Sequence, residues 1–294
     1  MTTCFSYYHS FGMTENYLIM IEQPWVANSL KLAASRVKGA TFYDCLQWCP
    51  GSKNVFHVVQ KKSGKVVNKD FKYVSSEDFF FLNFINCYEA GNDVIIDLIS
   101  YASPAVLEEM SLQKLRQGRF ENKDKSRIQR FKLPLKIEAE TESREFWSLQ
   151  KKVVTLTPRE VINETGCEHP SINRNLTGKK YKFCYVIGWL ESVNRGHFAN
   201  SLTKVDMETG LSLAWRGNEF CHPAEAVFVP KSGQAAEDDG LVVASVTDVR
   251  EDQRDFLLFL DARSMTELAR VNFDMSLPFG SHAYLSTTNK YPTK

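Results

Sequence analysis

The sequence has almost no net charge, because 36 Lys and Arg residues are balanced by 35 Asp and Glu residues, leaving +1 over 294 residues. A chain so balanced has no overall field that would attract nucleic acid or an anionic membrane. This absence excludes proteins that bind polyanions through bulk charge. We therefore expect no nucleic-acid partner, and any ligand must be recognised by a local site.

Long apolar runs and paired cysteine motifs are also absent. The longest apolar runs, such as residues 256–260, have the length of a strand. A membrane-spanning helix needs about 18 apolar residues or more. Cys45 and Cys49 have no second close pair among the seven cysteines that would complete a structural zinc site. The sequence thus predicts no transmembrane segment, and its scattered, odd-numbered cysteines favour a reduced intracellular compartment.

Short strand patterns separated by turns make up most of the sequence. Two helical inserts are predicted from apolar spacing at residues 25–37 and 104–116. Strand pairs are predicted on either side of turns; the segments are 55–67 around Ser63-Gly64-Lys65, 79–99 around Gly91-Asn92-Asp93, 202–216 around Glu208-Thr209-Gly210, and 241–273.

Repeated antiparallel hairpins without long helices between them predict an all-β fold. A sandwich, a barrel and a propeller all fit this pattern, and a repeat of roughly 40 to 60 residues favours propeller blades. The aromatic run at residues 79–81 fits a buried core better than the wall of a substrate tunnel.

Five segments carry polar residues in distinctive surroundings. In three of them the residue of interest carries an imidazole or an amide, and in the other two it is a glutamate. The segments are YYHSFGMTENY at 7–17 with His9, FFLNFINCYE at 80–89 with Asn83, CEHPSIN at 167–173 with Glu168, PAEAVFVP at 223–230 with Glu225, and LPFGSHA at 277–283 with His282.

Together these segments resemble the carotenoid cleavage oxygenases, particularly the animal branch that includes the β-carotene oxygenases and the retinoid isomerase. The resemblance runs from Tyr7 to about Leu285 and corresponds to about the second half of a full-length member. It implies one domain over residues 1–294, truncated at its N-terminus. That domain would be about the C-terminal half of a seven-bladed propeller with short helical inserts.

The resemblance also implies a metal site. The family holds one ferrous ion through four histidines from separate blades, and His9 and His282 fall on two of these positions. Asn83 stands where the family has a third histidine, and the remaining ligand would lie upstream of Met1. Because an amide oxygen is a weaker donor than imidazole, we expect Fe(2+) to be weakly bound.

Two carboxylates complete the implied site. Glu225 matches the family glutamate that would orient His282, and Glu168 matches the one that would support the position of Asn83. A carboxylate that accepts an imidazole N–H fixes the tautomer of the ring and raises its basicity. The resemblance implies no catalytic residue beyond this metal site.

The family reaction is iron(II)-dependent oxidative cleavage of a carotenoid or apocarotenoid double bond by O2, in carotenoid catabolism and retinoid metabolism. The alternatives are a catalytically inactive truncated relative that binds carotenoid or retinoid or has no independent activity, and a propeller that serves as an interaction module. The compartment would be the cytoplasm, with the mitochondrion as the alternative. Peripheral membrane contact is compatible with an apolar substrate.

The remaining histidines have simpler interpretations. His57 lies inside a predicted strand and is expected to be structural. His169, His197 and His222 lie beside proline, glycine and loop residues, and we expect them to have surface roles.

Overall fold

Strands dominate the protein and helices are few. The structure is a computed structural model and describes residues 4–118, 124–137, 152–162, 166–188, 199–233 and 235–286. The helices are α1 (Ser29–Lys38), α2 (Ala105–Glu109) and α3 (Leu112–Arg116), with short 3₁₀ turns at Tyr43–Cys45 and Arg174–Leu176. This confirms the predicted all-β class. Among the described residues, no helix has the length and apolar character needed to cross a membrane.

The described residues form two compact units. Unit 1 contains the residues up to 166 together with 176–180. Unit 2 contains 167–175 and the described residues from 181 onward. Each unit is described by itself below.

Unit 1 contains three sheets. Their strands are β1 (Cys4–Ser6), β2 (Gly12–Met13), β3 (Tyr17–Glu22), β4 (Trp25–Asn28), β5 (Leu46–Trp48), β6 (Val55–Gln60), β7 (Phe71–Ser75), β8 (Phe80–Ala90), β9 (Asp93–Tyr101), β10 (Arg127–Pro134), β11 (Lys152–Leu156) and β12 (Arg159–Ile162). The strand orders are β1-β4-β5, β12-β10-β9-β8 and β11-β7-β6-β3-β2. Of these strand pairs, only β11 with β7 is parallel.

Unit 2 contains two antiparallel sheets. Their strands are β13 (Cys167–Ile172), β14 (Phe183–Gly188), β15 (Ser201–Asp206), β16 (Ser212–Arg216), β17 (Cys221–Pro223), β18 (Val227–Pro230), β19 (Gly240–Asp248), β20 (Phe256–Asp261) and β21 (Glu267–Asn272). The strand orders are β13-β14-β15-β16 and β17-β19-β20-β21, and β18 also pairs with β19. Neighbours in the first sheet follow one another along the chain, as hairpin connections require.

The predicted hairpins are mostly confirmed. Strands β8 and β9, β15 and β16, and β19 to β21 pair as their turns indicated. The return strand predicted at 66–67 is reduced to one bridge between Val59 and Val66. The helix predicted at 104–116 is present as α2 and α3.

The helix predicted at residues 25–37 is wrong over its first four residues. Trp25 and Ala27 are buried in strand β4, and alternate burial is the pattern of a strand. The helix begins only after Asn28, whose side-chain oxygen accepts hydrogen bonds from the amides of Leu30 and Lys31, each at 3.0 Å. Asn28 is thus an N-cap, which apolar spacing alone did not locate.

Each unit has its own hydrophobic core. In unit 1 the Phe131 ring lies 5.4 Å from that of Phe79 and 5.1 Å from that of Phe56. The run at 79–81 is buried, which confirms its core assignment. In unit 2 Tyr185 stacks on Phe228 with ring centroids 5.6 Å apart. Burial of these aromatic side chains stabilises each unit separately.

Candidate metal centre

The segment that carries His9 is fixed against strand β8. The Ser10 hydroxyl donates to the carbonyl of Leu82 and accepts from the amide of Phe84 at 3.3 Å. A Cβ atom on Gly12 in strand β2 would lie 2.4 Å from Cys87 Sγ in strand β8, so only glycine fits where these two strands meet. Since residues 82 and 84 flank Asn83, the segments that carry His9 and Asn83 lie on neighbouring stretches of backbone.

His9 is exposed and lies beside an aromatic cluster. Its Nδ1 is 3.4 Å from the Tyr7 hydroxyl, and the two rings are nearly parallel with centroids 6.4 Å apart. Tyr7 packs on Trp25 at 4.7 Å. Burial, together with the nearby charge of Glu22, raises the pKa of Tyr8 to about 12, so this phenol stays neutral at physiological pH.

The last part of the segment at 7–17, from Thr14 to Tyr17, forms a hydrogen-bonded turn. The Thr14 hydroxyl donates to the Glu89 carboxylate at 2.6 Å, and the Asn16 amide N–H donates to it at 2.9 Å. Although burial opposes the shift, these hydrogen bonds lower the pKa of Glu89. The Thr-Glu-Asn-Tyr part of the motif therefore anchors β2 and β3 to the end of β8.

Two asparagines on β8 differ in their surroundings. Asn83 is half-buried and presents an amide where the resemblance implied a histidine. Asn86 is buried and donates to the carbonyls of Leu176 and Lys179 at 3.1 and 3.0 Å, while its oxygen accepts from the Gly178 amide at 3.0 Å. Asn86 is thus a structural anchor for a loop of unit 1. Its role was not predicted, because these partners are about 90 residues away along the chain.

Unit 2 contains an imidazole–carboxylate contact. His282 Nδ1 and Glu225 Oε2 are 2.6 Å apart, and the side chains are 62% and 14% exposed. When Nδ1–H donates to the carboxylate, the Nε2 lone pair is directed away from Glu225 and can bind a metal ion. Arg174 holds the following residue by donating to the carbonyl of Ala283 at 3.2 Å. The contact joins an exposed imidazole to a largely buried carboxylate.

His169 is the third member of this cluster and was not predicted. Its ring centroid lies 5.4 Å from that of His282 at an interplanar angle of 71°. Ligand atoms of His169, Glu225 and His282 all lie within 4.8 Å of one another. The expectation of a plain surface role for His169 is therefore wrong. The one signal in the sequence is its place directly after Glu168.

A β-bulge explains where His169 lies. The pairing of β13 with β14 shifts between Glu168 and Ser171, and His169 has φ +50°, in the left-handed region. Bulges redirect side chains, and among residues other than glycine, histidine is one of those that adopt left-handed backbone more readily. Glu168 is buried, and its carboxylate accepts from the His169 amide at 3.1 Å. The bulge is thus supported by a neighbouring carboxylate.

The other histidines are separate from this cluster. His57 contacts Glu22 across strands β6 and β3 at 3.1 Å, which agrees with its expected structural role. His222 Nδ1 is 3.2 Å from the carbonyl of Ala199, and burial lowers the pKa of this imidazole. The expected surface role of His222 is wrong because the ring is partly buried between strands. His197 lies outside the described residues.

The donor set of the cluster fits iron(II). Neutral imidazole is a donor that ferrous iron accepts, and a carboxylate hydrogen-bonded to the other ring nitrogen, as Glu225 is to His282, raises the basicity of the imidazole. Among the predicted site residues, the structure thus brings His282 and Glu225 together in unit 2. His9 and Asn83 belong to unit 1, and Glu168 lies next to His169.

Comparison with known proteins identifies the family of this strand-rich chain. A model of the RPE65 family, retinal pigment epithelial membrane protein, matches residues 1–285. The chain belongs to this family, which confirms the resemblance to carotenoid oxygenases drawn from the motifs.

Several curated relatives have carotenoid-cleaving names. The mitochondrial carotenoid-cleaving dioxygenase of Mustela putorius furo is 34% identical over 305 residues, covering 96% of this chain and 55% of that protein. The beta,beta-carotene 15,15'-dioxygenase of Homo sapiens is 30% identical over 304 residues, covering 98% of this chain and 54% of that protein. The chain spans about half the length of the curated relatives it matches.

Solved structures share the fold. The cobalt-substituted apocarotenoid oxygenase of Synechocystis superposes with a TM-score of 0.77 at 20% identity, covering 96% of this chain and 53% of that one. The lignostilbene dioxygenase of Pseudomonas brassicacearum gives 0.72 at 20% identity, covering 94% and 54%. At this level of identity the likeness establishes the fold.

Proposed function

We propose that the chain carries out the reaction named for its relatives, the iron(II)-dependent cleavage of a carotenoid or apocarotenoid double bond by O2. The observation that carries the proposal is the 2.6 Å contact between His282 and Glu225. In the family motifs, the position of His282 is an iron ligand and the position of Glu225 is the glutamate that orients this ligand. The substrate is a long apolar polyene, and the co-substrate is dioxygen.

In this proposal His9 and His282 hold the iron, with the Asn83 carbonyl as a weak third donor. Glu225 accepts the Nδ1 proton of His282, which fixes the ring and leaves Nε2 for the metal. Glu168 is buried, and in the family motif the glutamate at its position supports the ligand that Asn83 replaces here. The bound iron would supply the activation of dioxygen.

We propose one domain over residues 1–294 that forms part of a seven-bladed propeller. The support is the sheet β13-β14-β15-β16, in which four antiparallel strands follow one another along the chain, as they do in a propeller blade. The TM-score of 0.77 to an oxygenase structure supports the same architecture. Closure of the blades around an axis is part of this proposal.

The compartment we propose is intracellular. The mitochondrion, given above as the alternative to the cytoplasm, is supported by the name of the Mustela putorius furo relative. Peripheral membrane contact would give access to an apolar substrate dissolved in lipid.

A second candidate function is favoured by one residue. Asn83 replaces an imidazole at a position where the family binds iron, and an amide holds iron(II) less well. The chain would then be a catalytically inactive relative that binds carotenoid or retinoid.

The two functions are separated by an activity assay on the whole 294-residue chain. Chain loaded anaerobically with iron(II) is mixed with an apocarotenal and O2, and the aldehyde products are separated by chromatography. We expect slow cleavage by the wild type, faster by about tenfold in Asn83→His because a ligand is restored. The control Asn92→His, on the exposed β8–β9 turn, should match the wild type.

No cleavage by either the wild type or Asn83→His, with iron demonstrably bound, would disprove the oxygenase proposal. A spectral shift of the apocarotenal on mixing with that same protein would then support the binding function.

A further inference from the structure

We infer that strand β16 and the cleft beside it bind an extended segment of a partner protein. The segment adds a strand to the sheet of unit 2 and places one uncharged, apolar side chain in the cleft. The inference goes beyond the proposed function and does not depend on it. No residue of the candidate metal centre lines the cleft.

Strand β16 is an edge strand whose backbone is not fully paired. In the described part of the chain it is the last strand of the order β13-β14-β15-β16 and pairs with β15. The Asp206 amide donates to the Leu211 carbonyl at 2.9 Å, and from there hydrogen-bonded pairs recur at every second residue of β16. The N–H and C=O groups of Ser212 and Ala214 therefore point away from β15 and can pair with an added strand.

An apolar cleft adjoins this edge on one face of the sheet. Leu211 and Leu213 are 73% and 50% exposed, so each leaves a large apolar surface in water. Leu213 lies directly opposite Lys204, which places both side chains on the same face. The cleft has a volume of about 350 Å³, large enough for one large side chain, and is lined by Phe183, Lys204, Asp206, Leu211, Ser212 and Leu213.

The charged groups of the cleft already have partners. Lys204 Nζ is 2.5 Å from the Asp238 carboxylate, and it also lies 4.1 Å from the centre of the Phe183 ring. The Asp206 carboxylate is 3.3 Å from Lys182 Nζ. A charged occupant would find no unpaired charge here, whereas an apolar side chain would gain free energy by leaving water. This selects an uncharged, apolar occupant.

The geometry of an added strand combines the two features. Side chains alternate along a strand, so every second side chain of the segment lies on the face that carries the cleft. Because Leu213 is hydrogen-bonded to β15, the residue opposite it on the added strand forms a non-hydrogen-bonded pair, in which side chains approach most closely. The backbone of the segment thus supplies affinity, and the side chain opposite Leu213 supplies specificity.

The last strand of the other sheet of unit 2 is different. Strand β21 carries an ion pair along its exposed surface, with Arg270 Nε 2.5 Å from the Glu267 carboxylate. Charged side chains on an edge strand oppose pairing with another chain. Strand β16 has no charged side chain from Ser212 to Trp215. Of these two strands, β16 is the one suited to strand addition.

The test is a fluorescence anisotropy titration of the full chain with a dye-labelled, end-blocked peptide, Lys-Thr-Val-Thr-Phe-Thr-Val-Thr-Lys. We expect saturable binding of one equivalent, with phenylalanine opposite Leu213. The threonine N–H groups would then face β16. A control peptide with the same side chains, N-methylated at its threonines, should bind at least about tenfold more weakly because it cannot donate to the edge.

Variants of the chain test the edge and the cleft separately. Ala214→Pro should weaken binding at least about tenfold, and it removes no hydrogen bond to β15 because the Ala214 N–H points outward. Leu213→Ser should weaken binding at least about fivefold because it removes a wall of the cleft. The matched control, Leu268→Ser, changes a leucine of β21 that is 57% exposed and should leave the affinity unchanged. Thermal unfolding shows whether each variant is folded, and Ser212→Pro is the second edge variant.

The outcomes are decisive in both directions. Weaker binding in Ala214→Pro and Leu213→Ser, with wild-type affinity in Leu268→Ser, supports the inference. Absence of saturable binding overturns it, and so does equal binding of the N-methylated peptide, which would show adhesion without strand addition. Self-association of the chain that Ala214→Pro removes, without peptide binding, also overturns the inference because the occupant would then be a second copy.

Discussion

The two units differ in what their polar side chains do. In unit 1 the residues of the family motif fix strands to one another: Ser10 contacts β8, Thr14 contacts Glu89, and Asn86 holds a loop. In unit 2 the imidazoles of His169 and His282 lie beside a carboxylate. Unit 1 thus uses these polar side chains to join segments of the fold, whereas unit 2 contains a cluster of two imidazoles and a carboxylate.

The histidine–carboxylate contacts show the same difference. His57 and Glu22 are 3.1 Å apart, and the glutamate side chain is 52% exposed. His282 and Glu225 are 2.6 Å apart, and the glutamate is only 14% exposed. A contact between exposed groups contributes little to stability or to binding, whereas a largely buried carboxylate needs a partner. The burial of Glu225 therefore distinguishes the contact at the candidate site from the exposed contact between His57 and Glu22.

The largest effect on stability is expected from the buried ion pair of unit 1. Arg130 donates from Nε and a terminal nitrogen to the fully buried Asp97 at 2.7 and 2.8 Å. Arg130→Met leaves a buried carboxylate without this partner and should lower the free energy of unfolding by about 3–5 kcal/mol. Urea unfolding followed by circular dichroism measures the change.

The control for this prediction lies in unit 2. Arg254 and Asp274 are 2.6 Å apart, but their side chains are 64% and 90% exposed. Arg254→Met should therefore change stability by less than about 0.5 kcal/mol. Equal losses in the two variants would contradict the structural role we give to the ion pair in unit 1.

A smaller loss is expected from the structural asparagine of β8. Asn86→Ala removes three hydrogen bonds between a buried side chain and the loop at 176–180, and leaves three backbone groups of that loop without this partner. The loss should be about 2–3 kcal/mol, with faster proteolysis in that loop. The exposed Asn92→Ala should stay within about 0.5 kcal/mol of the wild type. A stable Asn86→Ala would show that this asparagine serves some other purpose than anchoring.

The smallest effect should come from Glu89 and depends on pH. The pKa of Glu89 is lowered in the folded protein. Its contribution to the free energy of unfolding is therefore present above the pKa of the unfolded chain and is lost as pH falls through the pKa of the folded protein. Glu89→Gln should cost about 1 kcal/mol at pH 7 and nothing at strongly acidic pH. Melting temperatures between pH 7 and pH 2 measure the convergence. A pH-independent difference would rule out the charge as its cause, and Glu15→Gln, which changes an exposed carboxylate, is the control.

The parts of the fold and of the site that could be predicted are those determined by continuous segments of the sequence. The hairpin of β8 and β9 followed from apolar strands around Gly91-Asn92-Asp93, and its pairing is as expected. The pairing of Glu225 with His282 followed from the resemblance of two short motifs. His169 could not be predicted, because only the register shift in β13 brings its ring close to His282.

The sequence by itself determined the all-β class, most hairpins and the family, because periodicity and turn residues act over short distances along the chain. The tertiary structure decided which polar residues meet. Asn86 bonded to a loop about 90 residues away, and His169 came to lie beside Glu225 and His282. These outcomes depend on strand register and on a bulge, which arise from packing between distant segments and leave no local pattern in the sequence.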